Sequence, residues 1–213
     1  MSDPDVLVIG GGPAGVAATV TLATSGLRVL LIERRPKTRH LWDAVHPGIE
    51  SLLKALGLFG RFSQAGFTRY SGQWTKCDSG QRFSAFGKDS HGPWLGYHIW
   101  RPLFDALLID RAREVGVKVR GDIRIQRVIA EKGKISGIHT TIGQIRARVV
   151  IDATGKWRWL ERQLRLESIQ ASPRLVACYA VVSVGRGYEK CPTFAADRDG
   201  WTWSAHVGPR LYS

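Results

Sequence analysis

The sequence predicts an α/β protein (α+β overall), and three observations carry that prediction. An apolar run, Val6-Leu7-Val8-Ile9, feeds into a glycine-rich turn and a helical pattern, and a second apolar run follows at Val29-Leu30-Leu31-Ile32. That is a β-α-β unit with buried strands. Between residues 117 and 151, short apolar runs are separated by Lys132-Gly133-Lys134 and Gly143, which reads as a β-meander. The last third, from Leu175 onward, is again rich in strand formers. A chain of 213 residues, 44% hydrophobic and 23% charged, has the length and balance of a globular protein of one or two domains.

The turn after the first strand is Gly10-Gly11-Gly12-Pro13-Ala14-Gly15, a G-x-G-x-x-G sequence. Gly10 allows a tight turn, Gly12 leaves the backbone bare where a pyrophosphate must approach, and Gly15 lets the helix lie close to the strand. The helix that starts here offers free N–H groups and a positive dipole end to an anion. Its pattern runs from Ala14 to Thr24 and stops at Gly26; the second strand ends on Glu33, eighteen positions after Gly15 (33 − 15). A carboxylate at that place in a Rossmann-like unit bonds the ribose of an adenine dinucleotide. The fingerprint alone serves NAD and FAD equally.

The 31 Lys and Arg against 18 Asp and Glu give a net charge of +13, which raises nucleic acid or an anionic membrane as partners. The basic residues are scattered, with no basic block interleaved with aromatics, so nucleic acid is not expected. Cys77, Cys178 and Cys191 are odd in number and have no C-x-x-C spacing, which suggests a reducing compartment and neither a disulfide framework nor a metal site. The polar start Met1-Ser2-Asp3-Pro4-Asp5 is unlike a signal peptide, and no apolar stretch is long enough to span a bilayer. A cytoplasmic protein without an integral membrane segment is expected.

Further along, Arg34-Arg35-Pro36-Lys37 ends the second strand. A loop follows through His40, Trp42 and Asp43 to His46-Pro47, and then a helix carries Ile49, Leu52, Leu53 and Leu56 to Gly57. Residues 70 to 86 read as a hairpin around Asp78-Ser79-Gly80, and residues 88 to 96 as a polar loop. A helix begins beside Pro102, with Leu103, Leu107, Leu108, Ala112 and Val115 on one face, and ends at Gly116. Strands are expected at 117–120, 123–131, 135–141 and 145–151, the last leading into Asp152-Ala153-Thr154-Gly155. Leu175 to Val184 alternates partly, and residues 194–196 pair with 201–206 across Arg198-Asp199-Gly200.

Four of these features together resemble the FAD-dependent oxidoreductases of the para-hydroxybenzoate hydroxylase fold, which include aromatic monooxygenases, geranylgeranyl reductases and tryptophan halogenases. They are Gly10 to Gly15 with Glu33; Arg101, Phe104 and Asp105 at the helix start; Val149 to Gly155 with its A-T-G turn; and the loop His40 to Gly48 before the leucine-rich helix. The resemblance implies FAD, bound by Gly10, Gly12, Pro13, Ala14, Gly15, Glu33 and Arg34, by Ala153, Thr154 and Gly155, and from the side by Arg101. It implies an FAD-binding domain at 1–70 and 97–165 and part of a β-rich substrate domain at 71–96 and 166–213. His46 and Trp42 are then the candidates nearest the flavin ring. The Gly-Asp motif such proteins carry downstream has no counterpart after Gly155, so the chain resembles the N-terminal half of such an enzyme.

In that family the flavin supplies the redox chemistry and the protein supplies binding and orientation. The activity implied is a flavin monooxygenase acting on an aromatic or electron-rich group, in a small molecule or a protein side chain, with NAD(P)H or a reductase as candidate electron donor. Two alternatives stand beside it: a non-catalytic nucleotide-binding remnant, and a geranylgeranyl reductase-like or halogenase-like flavoenzyme. Trp201-Thr202-Trp203-Ser204-Ala205-His206 is similar to the W-x-W-x-I-P element of halogenases, with Ala-His in place of Ile-Pro and Arg69 as the nearest basic residue to their catalytic lysine. Read from spacing alone, the two tryptophans are alternate residues on one strand face in a sheet core.

Overall fold

The computed structural model describes residues 3–34, 41–121, 123–131, 133–183, 189–208 and 211–213. The expected turn at residues 35–37, His40, Lys132 and Val184 lie outside the described residues.

β1 (Val6–Ile9) is wholly buried. α1 (Pro13–Thr24) opens on proline, whose missing N–H is one the first turn leaves unbonded anyway, and buries Gly15, Val16, Thr19 and Val20 along one stripe. β2 (Val29–Glu33) follows, then β3 (Trp42–Val45), the short helices α2 (Ile49–Ala55) and α3 (Phe59–Gln64), and β4 (Thr68–Tyr70). β5 (Gly72–Cys77) and β6 (Gly80–Ala85) form the expected hairpin. Two-residue strands β7 (Lys88–Asp89) and β8 (Gly92–Pro93) pair inside the segment expected as a loop. β9 (Gly96–Trp100) runs directly into α4 (Arg101–Glu114). After them come β10 (Lys118–Gly121), β11 (Ile125–Glu131), β12 (Lys134–Thr140), β13 (Gly143–Arg146) and β14 (Val149–Asp152). A 3₁₀ turn at Gly155–Trp157 leads into α5 (Trp159–Leu164). The last strands are β15 (Val182–Ser183), β16 (Thr193–Ala196), β17 (Trp201–Ser204), β18 (His206–Gly208) and β19 (Leu211–Tyr212).

The chain divides into two compact units. The first comprises Met1–Lys37, Leu56–Leu58 and Asp105–Arg174. Its parallel sheet has the order β10-β2-β1-β14, the β-α-β core that the glycine turn predicts, and β11-β12-β13 form an antiparallel meander. The single strand expected at 145–151 is two: β13 closes the meander and β14 crosses to pair in parallel with β1. Leu7, Ile9, Ile32, Ile138 and Trp159 share one buried cluster, so meander and parallel sheet have a common core.

The second unit comprises Thr38–Ala55, Phe59–Phe104 and Leu175–Ser213. β9 is the middle strand of the antiparallel sheet β3-β9-β4, and Gly96, Tyr97, His98 and Ile99 on it are buried. Phe62 of α3 meets Tyr97 edge-on at 4.8 Å between ring centroids and Phe104 at 5.7 Å, which fixes that helix against the sheet. β16 joins the β5-β6 hairpin in parallel and pairs with β17 as expected. Among the described residues of the strand expected over Leu175 to Val184, only Val182 and Ser183 (β15) form one; Leu175 is 73% and Val176 90% exposed. Alternating apolar residues give a segment the capacity to pair, but a strand forms only where a neighbour takes its ladder bonds.

Candidate functional site

In the first unit the carboxyl ends of β1, β2 and β14 stand level, because the register sets Ile9 beside both Ile32 and Asp152. The backbone carries this alignment into the turns. The Gly10 N–H donates to the Ile32 carbonyl at 2.8 Å, and the Ala153 N–H donates to the Ile9 carbonyl at 2.8 Å. Gly10 has φ +107°, and a Cβ there would strike the Ala153 carbonyl. A Cβ on Gly15 would strike the Gly10 carbonyl, so only glycine lets α1 come this close. Gly12 differs from both: a Cβ there would meet nothing within 4 Å.

That open position is the N-cap of α1, where Pro13 and Ala14 are exposed. No acidic side chain stands in the first turn. The helix end therefore keeps its unbonded N–H groups and partial positive charge uncompensated by its own sequence, which suits a bound pyrophosphate.

Glu33, at the end of β2, turns back over the glycine turn, where its Oε2 accepts the Gly11 N–H. Burial pushes the Glu33 carboxyl up from its ordinary value; the Gly11 N–H opposes that rise, and the carboxylate of Asp105 adds to it. Arg34 is exposed, with its guanidinium carbon 5.4 Å from the centroid of the Trp157 ring.

The Ala153-Thr154-Gly155 turn takes its shape from Asp152. Its Oδ1 accepts the Thr154 N–H at 2.9 Å and its Oδ2 the Leu160 N–H at 2.7 Å, while Thr154 Oγ1 accepts the Trp159 N–H at 3.1 Å. One carboxylate thus fixes both the turn and the start of α5. The sequence reading did not single out Asp152; an aspartate directly before a small-residue turn is the signal for such a role. Trp157 carries no comparable signal, since its approach to Arg34 is a tertiary contact.

The structure thus brings together Gly10, Gly12, Pro13, Ala14, Gly15, Glu33, Ala153, Thr154 and Gly155, with Arg34 beside Glu33. Trp42, His46 and Arg101 lie on the second unit. Trp42 is on β3 opposite Trp100, so the segment expected as loop is partly strand. His46 is exposed; its Nδ1 accepts the Gly48 N–H at 3.2 Å and its ring meets Phe86 edge-on at 4.9 Å. Arg101 starts α4, pairs with Asp43 through Nη1 and Oδ2 at 2.7 Å, and donates its backbone N–H to the Leu41 carbonyl. A cation at a helix N-terminus requires an anion, and Asp43 provides one within the protein.

The two tryptophans are not equivalent. Trp203 approaches the buried His98 at 6.0 Å between centroids, whereas Trp201 stacks on Phe194 and is 45% exposed. His98 is fully buried and stacks on Tyr70 at 4.2 Å, and neither ring nitrogen has a hydrogen-bond partner among the described residues. Burial, with the neighbouring His206 adding to it, pushes its imidazole down to about 4.

Comparison with known proteins agrees with this geometry. Flavin-dependent halogenase armH3 of Armillaria mellea is 27% identical over 93% of this chain and 43% of its own length. Digeranylgeranylglycerophospholipid reductase of Methanosarcina acetivorans is 30% identical over 93% of this chain and 50% of its own. The chain thus spans about half the length of these relatives. The myxobacterial chondrochloren halogenase CndH shares the fold with a TM-score of 0.80 and 23% identity, over 100% of this chain and 52% of that one. PqsL of Pseudomonas aeruginosa, a probable FAD-dependent monooxygenase, does so at 0.81 and 18%, over 99% of this chain and 59% of that one. No helix among the described residues is long and apolar enough to cross a membrane. The FAD dependent oxidoreductase family model matches residues 5–157, which contain the glycine turn, Glu33 and the Ala153–Gly155 turn, and the chain belongs to that family, whose cofactor is FAD.

Proposed function

We propose that this chain forms the nucleotide-holding half of a flavin monooxygenase-type enzyme acting on an aromatic or electron-rich substrate. The observation that carries the proposal is the bare backbone of Gly12 at a helix N-terminus whose own first turn holds no acidic side chain, with Glu33 at the adjoining Gly11. Gly10, Gly12, Pro13, Ala14 and Gly15 receive the pyrophosphate, and Glu33 and Arg34 hold the adenosine side. Ala153, Thr154 and Gly155 form the facing wall. Arg101 reaches the cofactor from the side, and Trp42 and His46 stand nearest the flavin ring.

When bound, FAD supplies the electron transfer and oxygen chemistry. The protein's part is to exclude water and orient the substrate, a small molecule or a protein side chain, with NAD(P)H or a reductase as electron donor. The FAD-binding domain comprises 1–70 and 97–165, and 71–96 and 166–213 belong to a substrate domain. The free thiols of Cys77, Cys178 and Cys191 fit a cytoplasmic protein. The test is the colour and the reaction: purified protein should show oxidised-flavin absorbance, and the donor should be consumed with oxygen to give a hydroxylated product. Colourless protein that takes up no FAD would contradict the proposal.

A halogenase-type reaction is the second reading. It is favoured by the halogenases among the relatives and by the likeness of Trp201 to His206 to the W-x-W-x-I-P element. Chloride or bromide incorporated into product in place of oxygen would select it.

A further inference from the structure

A cavity of about 480 Å³ opens in the second unit where β4 gives way to β5. That volume is the size of a small organic ligand. Its walls are Arg69, Tyr70, Ser71, Leu95, Glu189, Lys190 and Cys191, none of which belongs to the nucleotide site. Two cations and one carboxylate line it directly, and the Glu50 carboxylate stands behind Arg69.

Arg69 is the built part of this wall. Its guanidinium carbon lies 3.9 Å from the centroid of the Tyr97 ring, and Nη2 donates to Glu50 Oε1 at 3.0 Å and to the Leu95 carbonyl at 3.1 Å. Tyr97 also donates its hydroxyl to Glu50 Oε1 at 2.6 Å, so ring, carboxylate and guanidinium hold one another in place. The Nε and Nη1 donors of Arg69 have no partner among the described residues. A cation fixed in this way has already given up its rotamer freedom and meets an anion at little further entropic cost.

The rest of the lining says what the anion is attached to. Ser71 and Cys191 face each other at 3.7 Å between Oγ and Sγ, which pairs these two polar groups of the lining with one another. Leu95 is half-buried and adds apolar surface, whereas Tyr70, 6% exposed, is covered by His98 and Phe86. We propose that this cavity binds a small organic anion, with its oxyanion head on Arg69 and Lys190 and its apolar body against Leu95. This site stands on the second unit alone and does not depend on the flavin reading.

The test is saturation-transfer NMR of the flavin-free full chain with hexanoate, titrated to obtain Kd, and with inorganic phosphate as competitor. Arg69→Gln and Lys190→Gln should each weaken hexanoate by about threefold or more, while Glu189→Gln, which removes a repulsive charge, should tighten it by about twofold. Lys190 and Glu189 are exposed, so those two variants keep the fold, and tightening is an effect that structural damage does not produce. Phosphate should displace hexanoate weakly, because it lacks the apolar body. No hexanoate binding, the same Kd in all three variants, or displacement by phosphate as strong as by hexanoate itself would overturn the proposal. None of these outcomes bears on flavin binding.

Discussion

Arg101 and Asp43 form an ion pair, Nη1 to Oδ2 at 2.7 Å, that ties the first residue of α4 to β3. With side-chain exposures of 22% and 42%, the pair is partly screened, and about 1 kcal/mol is the expected coupling. A double-mutant cycle of Asp43→Ala and Arg101→Ala in urea unfolding should show that coupling, and strict additivity would deny it. The same pair separates two roles for Arg101. If it also holds FAD, Arg101→Ala weakens flavin retention on gel filtration while Asp43→Ala, which leaves the cation in place, does not. Equal retention in both variants would make the arginine structural.

Glu33→Ala removes the acceptor for the Gly11 N–H and, in the proposed site, for the ribose. FAD affinity should fall by about 1–3 kcal/mol. Fluorescence titration measures this directly, and unchanged affinity would remove Glu33 from the site.

The glycines of the turn should separate fold from binding. Gly15→Ala forces a Cβ into the Gly10 carbonyl and should lower stability by about 2 kcal/mol or more. Gly12→Ala has open space and φ −68°, so it should melt like the parent but bind FAD at least about tenfold more weakly. Equal loss of stability in both, or full affinity in Gly12→Ala, would contradict the division of labour.

His98 should make the protein acid-sensitive. Its imidazole titrates near 6.5 in an unfolded chain and is held down to about 4 in the fold. Between those values the unfolded state binds more protons, so stability is highest above pH 6.5 and falls as the pH drops toward 4, by about 3 kcal/mol in all. Tyr70, Trp203 and His206 surround it and none is an acid that could offset the charge. His98→Phe should flatten that slope in guanidinium melts at pH 7 and pH 4.5. An unchanged slope would place the acid sensitivity elsewhere.

What could be read from the sequence is what the backbone demands locally. Gly10, Gly15 and the run into Glu33 mark a strand-turn-helix-strand whose geometry depends on nearby residues, and that part of the fold and site was legible. β3 was not, because Trp42-Asp43-Ala44-Val45 lacks alternation and becomes a strand only through its pairing with β9. Arg101 showed that it needed an anion but not which one, since Asp43 lies 58 positions away in sequence. Asp152 was overlooked because its two acceptors act on residues 154 and 160, a local function hidden inside a strand end. Leu175 to Val184 differs the other way: its pattern is strand-like, and among its described residues 175–181 have no ladder.

The central claim is that the Gly10–Gly15 turn and Glu33 hold the ADP end of FAD. Equilibrium titration of the purified chain with FAD and with FMN, which shares the flavin but lacks the ADP, tests it most directly. FAD should bind and be displaced by ADP, and FMN should bind at least about a hundredfold more weakly. Equal affinity for FMN, or FAD binding that ADP does not disturb, would contradict it.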